Sequence, residues 1–521
     1  MRATSIGHAG ILVDTLDGSI VCDPWFLPQF HGSWFVFPRN DQLSKELMER
    51  ICNPKYLYIS HIHADHLDED WLVANMNKDV TVLIPGYPTR ELERIMLRLG
   101  FHNILRTFDG EEMVLGPNLT VAIHTETSMT DGPGGDSAIM ISDGTGRLVN
   151  QNDCRTNDLD ALRNHGPVDL HWLQYSGAIW YPMVYEETPA RMRELIDAKV
   201  ASQFQRAMRY VEKIGARAVV PSAGPPAFLD PDLFQFNVIT GDELSIFPDQ
   251  RSFMARLAAA GHQGILAIPG TEIEINSGPD GDQFNVTHPM PQAEVDLIFA
   301  DKENYLRRFQ ADWLPWLEQM KAGWHQPTDD LLERLKAWWE PLMRMAPTLC
   351  DAIGAVCVFR AGDLPIAIDF PNREVRREVP GETHGFRFNV QRELVETVAA
   401  KHANDWSNDL FLSCRFTAWR AGPFNEYLYN FFKSLSVERM RRAEAEALRK
   451  LDPDRGGLAG KEFELDGWII ERTCPHRQAD LQVFGEIDGH ELVCTMHGWR
   501  FDLATGVCRN AADHQLRIRR A

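Results

Sequence analysis

The chain has 521 residues, 44% of them hydrophobic, and its formal net charge at pH 7 is −21. This length is too great for a single hydrophobic core and predicts about two to four domains. The strong negative charge argues against general nucleic-acid binding and against attachment to an anionic membrane surface.

The sequence carries no sign of export or membrane insertion. Its first residues lack an apolar segment of signal-peptide length, and no apolar run approaches a membrane span. The nine cysteines are an odd number and widely scattered, which is typical of a reducing compartment. We therefore expect a cytoplasmic protein with no nucleic acid and no membrane among its partners. The sequence leaves open whether it forms a homo-oligomer.

The N-terminal elements predict a sheet that leads to a polar loop. Two short apolar runs flank Leu16-Asp17-Gly18, which predicts a β-hairpin. His8 stands just before this hairpin, and the sequence allows two roles for it, facing a site or making a structural hydrogen bond. An amphipathic helix is expected over residues 41–52, followed by a buried strand over residues 55–59.

The loop after that strand contains His61, His63, Asp65 and His66. Loops at the carboxyl ends of strands are where α/β folds place their chemistry. Imidazole and carboxylate ligands together fit a two-metal site, although a solvated polar loop has the same composition. The order His-x-His-x-Asp-His resembles the signature of the metallo-β-lactamase fold superfamily. In that superfamily the first two histidines hold one metal, and the Asp and third His hold its neighbour.

Later strands offer further ligands. The predicted strand over residues 119–126 places His124 and Glu126 on one face, and either could complete the first metal site. Asp153 follows the strand over residues 147–151. It matches the metal-bridging carboxylate of the superfamily in type and place, although a turn or capping Asp would look the same.

One ligand that is common in hydrolases of this superfamily is absent. The strand end at residues 218–224 reads Ala-Val-Val-Pro-Ser-Ala-Gly and has no histidine. His165 or His171 could substitute, but a histidine at the edge of an apolar strand, such as His171, is more often structural. The gap would leave an open coordination position for a small molecule on the second metal.

Residues 231–452 carry little motif chemistry and predict an α+β accessory or substrate region. A tryptophan-rich stretch between Trp313 and Met345 indicates one or two amphipathic helices. A strongly charged helix is expected over residues 437–451, with its charges on a solvated face. A linker rich in Pro and Gly follows at residues 452–457.

The C-terminal segment combines Cys474-Pro475-His476 with Cys494-Thr495-Met496-His497. Two thiolates and two imidazoles are the ligand set of a Rieske [2Fe–2S] cluster. Zinc is the alternative, but zinc fingers commonly pair Cys with Cys and His with His, whereas each knuckle here supplies one of each. We therefore predict that Cys474, His476, Cys494 and His497 bind a [2Fe–2S] cluster.

An electron-transfer cluster and a dinuclear site in one chain indicate redox chemistry. The chain also resembles the CMP-N-acetylneuraminate hydroxylase family. The resemblance rests on these segments: His8-Ala9, Asp23-Pro24-Trp25, Tyr58 to Leu67, Asp153-Cys154 and Pro221 to Gly224. It implies an α/β metallo-β-lactamase-like αββα sandwich over residues 1–230. The α+β region at 231–452 and a small all-β Rieske domain at 456–521 would follow.

The resemblance also implies the ligands and the reaction. An acidic residue stands at the place of Glu126 in that family and in the di-iron β-hydroxylases, which favours Glu126 over His124. The expected metal ligands are thus His61, His63, Asp65, His66, Glu126 and Asp153, around two Fe ions, with Zn or Mn as alternatives.

The implied activity is that of an O2-dependent monooxygenase fed by an external ferredoxin, reductase or cytochrome. Its substrate would be an N-acyl sugar nucleotide, such as CMP-N-acetylneuraminate, or another small metabolite. The alternative is a hydrolase or lactonase with a redox-sensing Rieske domain. The chain departs from the hydroxylase in domain order, because there the Rieske domain precedes the sandwich.

Overall fold

The computed structural model describes residues 1–87, 89–126, 135–156, 160–275, 284–451, 460–475, 479–494, 499–509 and 514–521. The elements of the first part of the chain are β1 (Arg2–Gly7), β2 (Gly10–Thr15), β3 (Gly18–Cys22), β4 (Phe35–Val36), α1 (Lys45–Cys52), β5 (Tyr56–Tyr58), α2 (Glu69–Asn75), β6 (Thr81–Ile84), α3 (Glu91–Arg98), β7 (Ile104–Arg106), β8 (Glu112–Val114), β9 (Thr120–Glu126), β10 (Asp136–Ser142), β11 (Arg147–Asn152), β12 (Leu170–Gln174), α4 (Pro189–Ile214), β13 (Ala218–Ser222), β14 (Pro226–Ala227), α5 (Gln250–Ala259), β15 (Glu272–Glu274) and β16 (Asn285–Thr287).

Two sheets form the first domain. One has the strand order β16-β15-β1-β2-β3-β5-β6-β7, and the other has the order β13-β12-β11-β10-β9-β8. Their apolar faces meet in one buried cluster that includes Ile20, Tyr58, Ile139 and Trp172. Helices α1, α2 and α3 cover the outer face of the first sheet, and α4 and α5 cover the outer face of the second. The predicted αββα sandwich is therefore confirmed, and we name it the sandwich domain.

The sandwich domain extends past residue 230, where its end was predicted. β15 pairs with β1, and β16 pairs with β15, so residues 272–287 complete the first sheet. The helices that follow are α6 (Gln292–Ala300) and α7 (Lys302–Ala322), and both contribute residues to a buried cluster with Phe35 and Phe37 of the sandwich.

The middle domain contains α8 (Leu331–Met345), α9 (Pro347–Ile353), β17 (Val356–Ala361), β18 (Leu364–Asp369), β19 (Glu374–Arg377), β20 (Phe386–Val390), α10 (Arg392–Ala400), β21 (Phe416–Arg420), α11 (Glu426–Lys433) and α12 (Val437–Leu451). Its strands form a sheet in the order β19-β18-β17-β20-β21. The core between sheet and helices is aromatic, with Trp339 and Trp406 fully buried and their ring centroids 4.9 Å apart.

The C-terminal domain contains β22 (Glu462–Leu465), β23 (Trp468–Glu471), the short α13 (Leu481–Phe484), β24 (Gly485–Asp488), β25 (Glu491–Cys494), β26 (Trp499–Asp502) and β27 (Ile518–Arg520). These strands form two small sheets, β22-β23-β27 and β24-β25-β26. In the described ranges of all three domains, no helix has both the length and the apolar surface that crossing a membrane requires.

The sequence interpretation of α12 is wrong in one respect. The helix forms over the predicted residues and exposes charged side chains such as Glu438 and Arg441, but two of its arginines do not lie on a solvated face. The Arg439 side chain is 12% exposed and pairs with Glu91 of the sandwich domain at 2.8 Å. The Arg442 side chain is 6% exposed and pairs with Glu486 of the C-terminal domain at 2.7 Å. α12 therefore lies between the other two domains, where guanidinium groups are neutralised by partners rather than by water.

Candidate metal centre

The His-rich loop follows β5 and is fixed by Asp23, the residue directly after β3. The Ser60 backbone N–H donates to Asp23 Oδ1 at 2.7 Å, and the Ser60 hydroxyl donates to Asp23 Oδ2 at 2.7 Å. The His66 backbone N–H then donates to the His63 carbonyl at 3.0 Å, which closes a turn. This turn directs several histidine rings into one buried space between the two sheets.

His61 and His63 meet through their ring nitrogens. His61 Nε2 lies 2.8 Å from His63 Nδ1, which is close enough for one metal ion to contact both. On the other side of its ring, His61 Nδ1 lies 3.2 Å from Asp136 Oδ1. A carboxylate on the far nitrogen orients a metal-binding histidine and fixes its tautomer. Asp136 was not identified as a site residue from the sequence, where it read only as the start of a strand.

His66 is oriented in the same way. Its Nδ1 lies 3.0 Å from Asp23 Oδ2, which leaves Nε2 facing the site. There Nε2 lies 3.5 Å from Asp153 Oδ1 and 3.9 Å from Asp65 Oδ2. The structure therefore brings together five of the six predicted metal ligands. The orienting role of Asp23 was also missed, although the Asp-Pro-Trp segment that contains it had been noticed.

His8 belongs to the same group of residues. Its Nε2 lies 3.1 Å from Asp65 Oδ2, and its side chain is 3% exposed. The backbone N–H of Ala223, at the strand end that lacks a histidine, donates to the His8 carbonyl at 3.0 Å. Of the two roles left open by the sequence, the structure thus supports a position at the site.

The donor atoms fit metal ions. Within the described part of the chain, His63 Nε2, His66 Nε2 and Asp153 Oδ1 are buried without a hydrogen-bond partner. His66 Nε2 and Asp153 Oδ1 face each other at 3.5 Å without forming a hydrogen bond, and a metal ion held by both would supply the partner that buried polar atoms normally have. His63 would use its other nitrogen, Nδ1, which faces His61. Two groups offer at least three ligand atoms within 4.8 Å of one another: His8 with Asp65 and His66, and His61 with His66 and Asp153.

The electrostatics of the group favour a cation. Burial opposes a charge on His66, but Asp153, Asp23 and Asp65 together outweigh burial and raise the pKa of His66 well above its usual range. Burial alone would raise the pKa of Asp65, but His66 and His8 outweigh it and hold the pKa at about 2. The carboxylates thus create a field that stabilises positive charge at the position where metal binding would displace protons.

The placement of His124 and Glu126 differs. His124 Nε2 lies 2.8 Å from His165 Nε2, and His165 Nδ1 lies 2.9 Å from Glu112. Glu126 is the cross-strand partner of Asp136, whose side chain touches His61. Directly opposed residues of an antiparallel pair project from the same face, so Glu126 emerges beside the group. The assignment of Glu126 as a ligand stays a prediction. His124 shares this face of the strand but lies opposite Ala138 and contacts His165, so it is farther along the strand from Asp136 than Glu126 is.

His171 is a structural residue. It is fully buried on β12, and its Nε2 lies 3.0 Å from the Gln151 side-chain oxygen. Burial lowers the pKa of His171 to about 3. It therefore stays neutral in the core and does not replace the absent histidine.

A cleft opens next to the metal loop, between the sandwich and middle domains. It has a volume of about 710 Å³, and its lining includes His63, Phe30, Trp316, Trp324 and Lys401. Clefts of this size at domain boundaries commonly admit small molecules. His63 gives this cleft contact with the candidate metal centre.

The C-terminal domain brings its two motif cysteines into one apolar cluster. Cys474 and Cys494 are fully buried there, together with Phe484, Leu492 and Phe501. Cys508 also belongs to this cluster, although it lies outside the motif. His476 and His497 lie outside the described residues, so their roles remain predictions.

Two segments of the chain match known protein families. Residues 465–518 match the Rieske [2Fe-2S] domain, and residues 331–449 match the "Rv3818-like, SCP2-like domain". The middle domain therefore has a family of its own that the sequence interpretation did not name.

Comparison with individual proteins gives full-length matches to Rieske proteins of mycobacteria. The chain is 42% identical to "Putative Rieske 2Fe-2S iron-sulfur protein Rv3818" of Mycobacterium tuberculosis, over 100% of both chains. It is 32% identical to the cytidine monophosphate-N-acetylneuraminic acid hydroxylase of Pan troglodytes over 89 residues, which are 16% of this chain and 14% of that protein. Among solved structures, CmlA, a diiron beta-hydroxylase from Streptomyces venezuelae, aligns with a TM-score of 0.34 and 15% identity, covering 52% of this chain and 53% of that one.

Proposed function

Because this chain belongs to the family of Rieske iron-sulfur proteins that includes Rv3818, we propose that it is an O2-dependent monooxygenase. In this proposal the C-terminal domain supplies electrons, and a dinuclear iron site in the sandwich domain performs the oxidation. The similarity of one segment to a hydroxylase supports this reaction class.

One observation carries the proposal. The same chain holds a Rieske domain and a buried group of His61, His63, Asp65, His66 and Asp153, with donor atoms that lack partners in the described residues. A pair of iron ions in that group would bind O2 and use electrons from the [2Fe–2S] cluster to oxidise a substrate. A plain hydrolase has no use for those electrons.

The residues of the chain would have distinct roles. His61 and His63, with Glu126, would hold one ion. Asp65 and His66 would hold the other, with Asp153 between them. Asp136 and Asp23 would keep the rings of His61 and His66 in the correct tautomer, because each contacts an Nδ1 atom.

The substrate would enter by the cleft beside His63. Its lining combines aromatic side chains with two cations, Lys401 and Arg439, and with four carboxylates, Glu69, Asp70, Asp405 and Asp409. Such a lining suits a small metabolite with both apolar and polar parts, and an N-acyl sugar nucleotide is one such class. The reaction balances when one oxygen atom enters a substrate C–H bond and the other leaves as water. This consumes two electrons and two protons, and the electrons come from an external ferredoxin, reductase or cytochrome.

Metal analysis of three variants tests the proposal. We expect roughly four irons per wild-type chain, two in each site. Cys494→Ser should lose the EPR signal of the reduced cluster and multiple-turnover O2 consumption. Asp65→Ala should lose sandwich iron while keeping that signal. Cys508→Ser is the matched control, because Cys508 is buried in the same apolar cluster but lies outside the motif.

Two results would overturn the proposal. The first is a wild-type protein with about two zinc ions in the sandwich domain that is fully active, which would favour the hydrolase or lactonase. The second is a Cys494→Ser protein that sustains O2-dependent turnover as fast as wild type.

A further inference from the structure

The C-terminal domain contacts both other domains along one edge, strand β24. Asp488 pairs with Arg90 at 2.5 Å and with Arg106 at 3.4 Å, both in the sandwich domain. Glu486, two residues earlier, pairs with Arg442 of α12 at 2.7 Å. Alternate residues of a strand share a face, so Glu486 and Asp488 form one acidic edge that meets arginines from two domains.

Apolar and aromatic contacts accompany this ionic edge. Ala445 of α12 belongs to the buried cluster that contains Cys474 and Cys494. The guanidinium of Arg500, on strand β26 at the opposite side of this sheet, reaches across to Asp488 at 3.0 Å and lies 5.6 Å from the ring centroid of Phe108 in the sandwich domain. The edge therefore combines charge pairing with buried surface, which distinguishes it from isolated surface ion pairs.

The sandwich loops that meet this edge are connected to the candidate metal centre. Arg90 follows Tyr87 by three residues, and the Tyr87 hydroxyl donates to the carbonyl of Ser60, the residue before His61. Phe108 precedes Asp109, whose Oδ1 accepts from the backbone N–H of Thr125 at 2.7 Å. Thr125 is the residue before Glu126. Each of these two loops is therefore hydrogen-bonded to a residue next to a predicted metal ligand: Ser60 precedes His61, and Thr125 precedes Glu126.

We propose that the β24 edge is a docking surface that holds the Rieske domain against the sandwich domain of its own chain. Electrons from the Rieske domain would then pass to the metal centre of the same chain. This inference rests on the proposed function, and its partner is the sandwich domain of the same chain rather than a second copy. One electron at a time leaves the C-terminal domain for the sandwich domain, and no bond is made or broken. An external one-electron donor protein re-reduces the C-terminal domain after each transfer.

Cross-linking tests the docking without using activity. Arg90→Cys and Asp488→Cys are combined in a Cys52→Ser background and treated with a short bis-maleimide. We expect a link within one chain, seen by peptide mass spectrometry and by monomer mobility on a denaturing gel. The pair Arg90→Cys and Glu462→Cys is the control, because Glu462 lies on the other small sheet of the domain. Links formed mainly between chains, or equal linking of the control pair, would overturn the docking.

A second experiment tests the route of the electron. Chains with Cys494→Ser and chains with Asp65→Ala are co-expressed under different tags and purified together, so that cluster and metal centre lie on different chains. After anaerobic reduction by one electron per cluster, we expect the EPR signal of the reduced cluster to decay at least tenfold more slowly than in wild type. Decay at the wild-type rate would show transfer between chains and overturn the inference.

Charge reversal localises the effect to the β24 edge. Asp488→Arg places a cation against Arg90 and Arg106 and, within its own domain, against Arg500, and we expect at least tenfold slower decay of the cluster signal with an unchanged spectrum. Adding Arg90→Asp should restore at least half of the rate, because the closest interdomain pair re-forms with opposite sign. Arg106 is kept in this variant because it also pairs with Glu93. Arg519→Glu, which breaks a pair with Glu462 elsewhere in the domain, should leave the rate unchanged. A wild-type-like rate in Asp488→Arg would refute the role of this edge.

These outcomes separate the inference from the proposed function. If the sandwich domain holds no iron, the wild-type cluster signal does not decay, and the proposed function fails. The cross-link within one chain would still form, because it depends only on the docking.

Discussion

Asp23→Asn is the sharpest test of the metal centre, because Asp23 contacts the site through one histidine. Its carboxylate is fully buried, receives both donors of Ser60 at 2.7 Å, and faces His66 Nδ1 at 3.0 Å. In the native protein this carboxylate accepts a hydrogen bond from the Nδ1–H group, which leaves Nε2 available to bind a metal.

The substitution keeps the shape of the side chain and replaces the Oδ2 acceptor by an N–H donor, which reverses the hydrogen bonds to the Ser60 hydroxyl and to His66 Nδ1. The carbonyl oxygen of the new amide can still accept from the Ser60 backbone, so the amide N–H group faces His66 Nδ1. Nδ1 must then accept, which moves the ring proton to Nε2, the atom that faces Asp153. Loss of such an orienting partner typically costs about 10–100-fold in metal affinity, or about 1.4–2.7 kcal/mol.

Iron content after dialysis against graded chelator concentrations measures this change. The EPR signal of the reduced cluster serves as an internal reference, since the C-terminal domain is untouched. Asp169→Asn is the matched control: Asp169 also accepts from a backbone N–H and an arginine in the sandwich domain, at 2.8 and 2.9 Å, but does not contact the metal centre. Iron retention by Asp23→Asn within twofold of wild type, or an equal loss in Asp169→Asn, would refute the orienting role.

Three further substitutions test other parts of the chain. Glu396→Ala should lower the free energy of unfolding by about 2–4 kcal/mol in urea denaturation, because the buried Glu396 carboxylate forms ion pairs with Arg334 and Arg392. A loss below about 1 kcal/mol would contradict this. His171→Gln should remove an acid-sensitive part of the stability. The folded pKa of His171, about 3, lies below the unfolded value, so stability is complete above about pH 6.5 and falls as the unfolded chain binds the proton. The wild type should lose about 2 kcal/mol more than the variant between pH 7 and 5, and equal losses would refute the assignment. Gly506→Ala should reduce cluster content, because Gly506 has φ +71° and a Cβ there would overlap the Leu516 carbonyl oxygen. Gly489→Ala is the control, because Gly489 has φ +63° but open space around it. Equal cluster loss in both variants would refute the overlap argument.

The sequence predicts the metal loop well because its ligands are close along the chain. His61, His63, Asp65 and His66 lie within six residues after one strand, so local geometry alone brings them together. Asp153 is predicted from the resemblance, which implies a metal-bridging carboxylate at that strand end, and the structure places it 3.5 Å from His66 Nε2. The αββα layers follow from the same alternation of strands and helices.

The orienting carboxylates could not be predicted from the sequence in the same way. Asp136 follows a Gly-rich segment, and Asp23 precedes a proline, so each has an ordinary local explanation as a turn or strand-end residue. Their contacts with His61 and His66 span 75 and 43 positions, respectively. Asp136 reaches His61 only because the second sheet, which contains β10, packs against the first, and Asp23 reaches His66 only because β3 pairs with β5.

α12 shows why a charged helix is ambiguous. Its pattern of Arg and Glu is the same for a face in water and for a face between two charged domains, because both require polar side chains. The prediction of a solvated face failed since the partners, Glu91 and Glu486, lie on segments about 350 positions before and about 45 positions after the helix. Sequence patterns report the chemistry of a surface, whereas its partner is set by tertiary structure.

The contacts of α12 and β24 also bear on domain order. In the hydroxylase family that the sequence resembles, the Rieske domain precedes the sandwich, whereas here it follows the middle domain. Position along the chain constrains electron delivery only if a linker limits where the domain can sit. Here the domain is held by Glu486 and Asp488 against arginines of two other domains, so docking is specified by surface chemistry. A domain that docks through its own edge can be moved from one end of a chain to the other and still face the same metal centre.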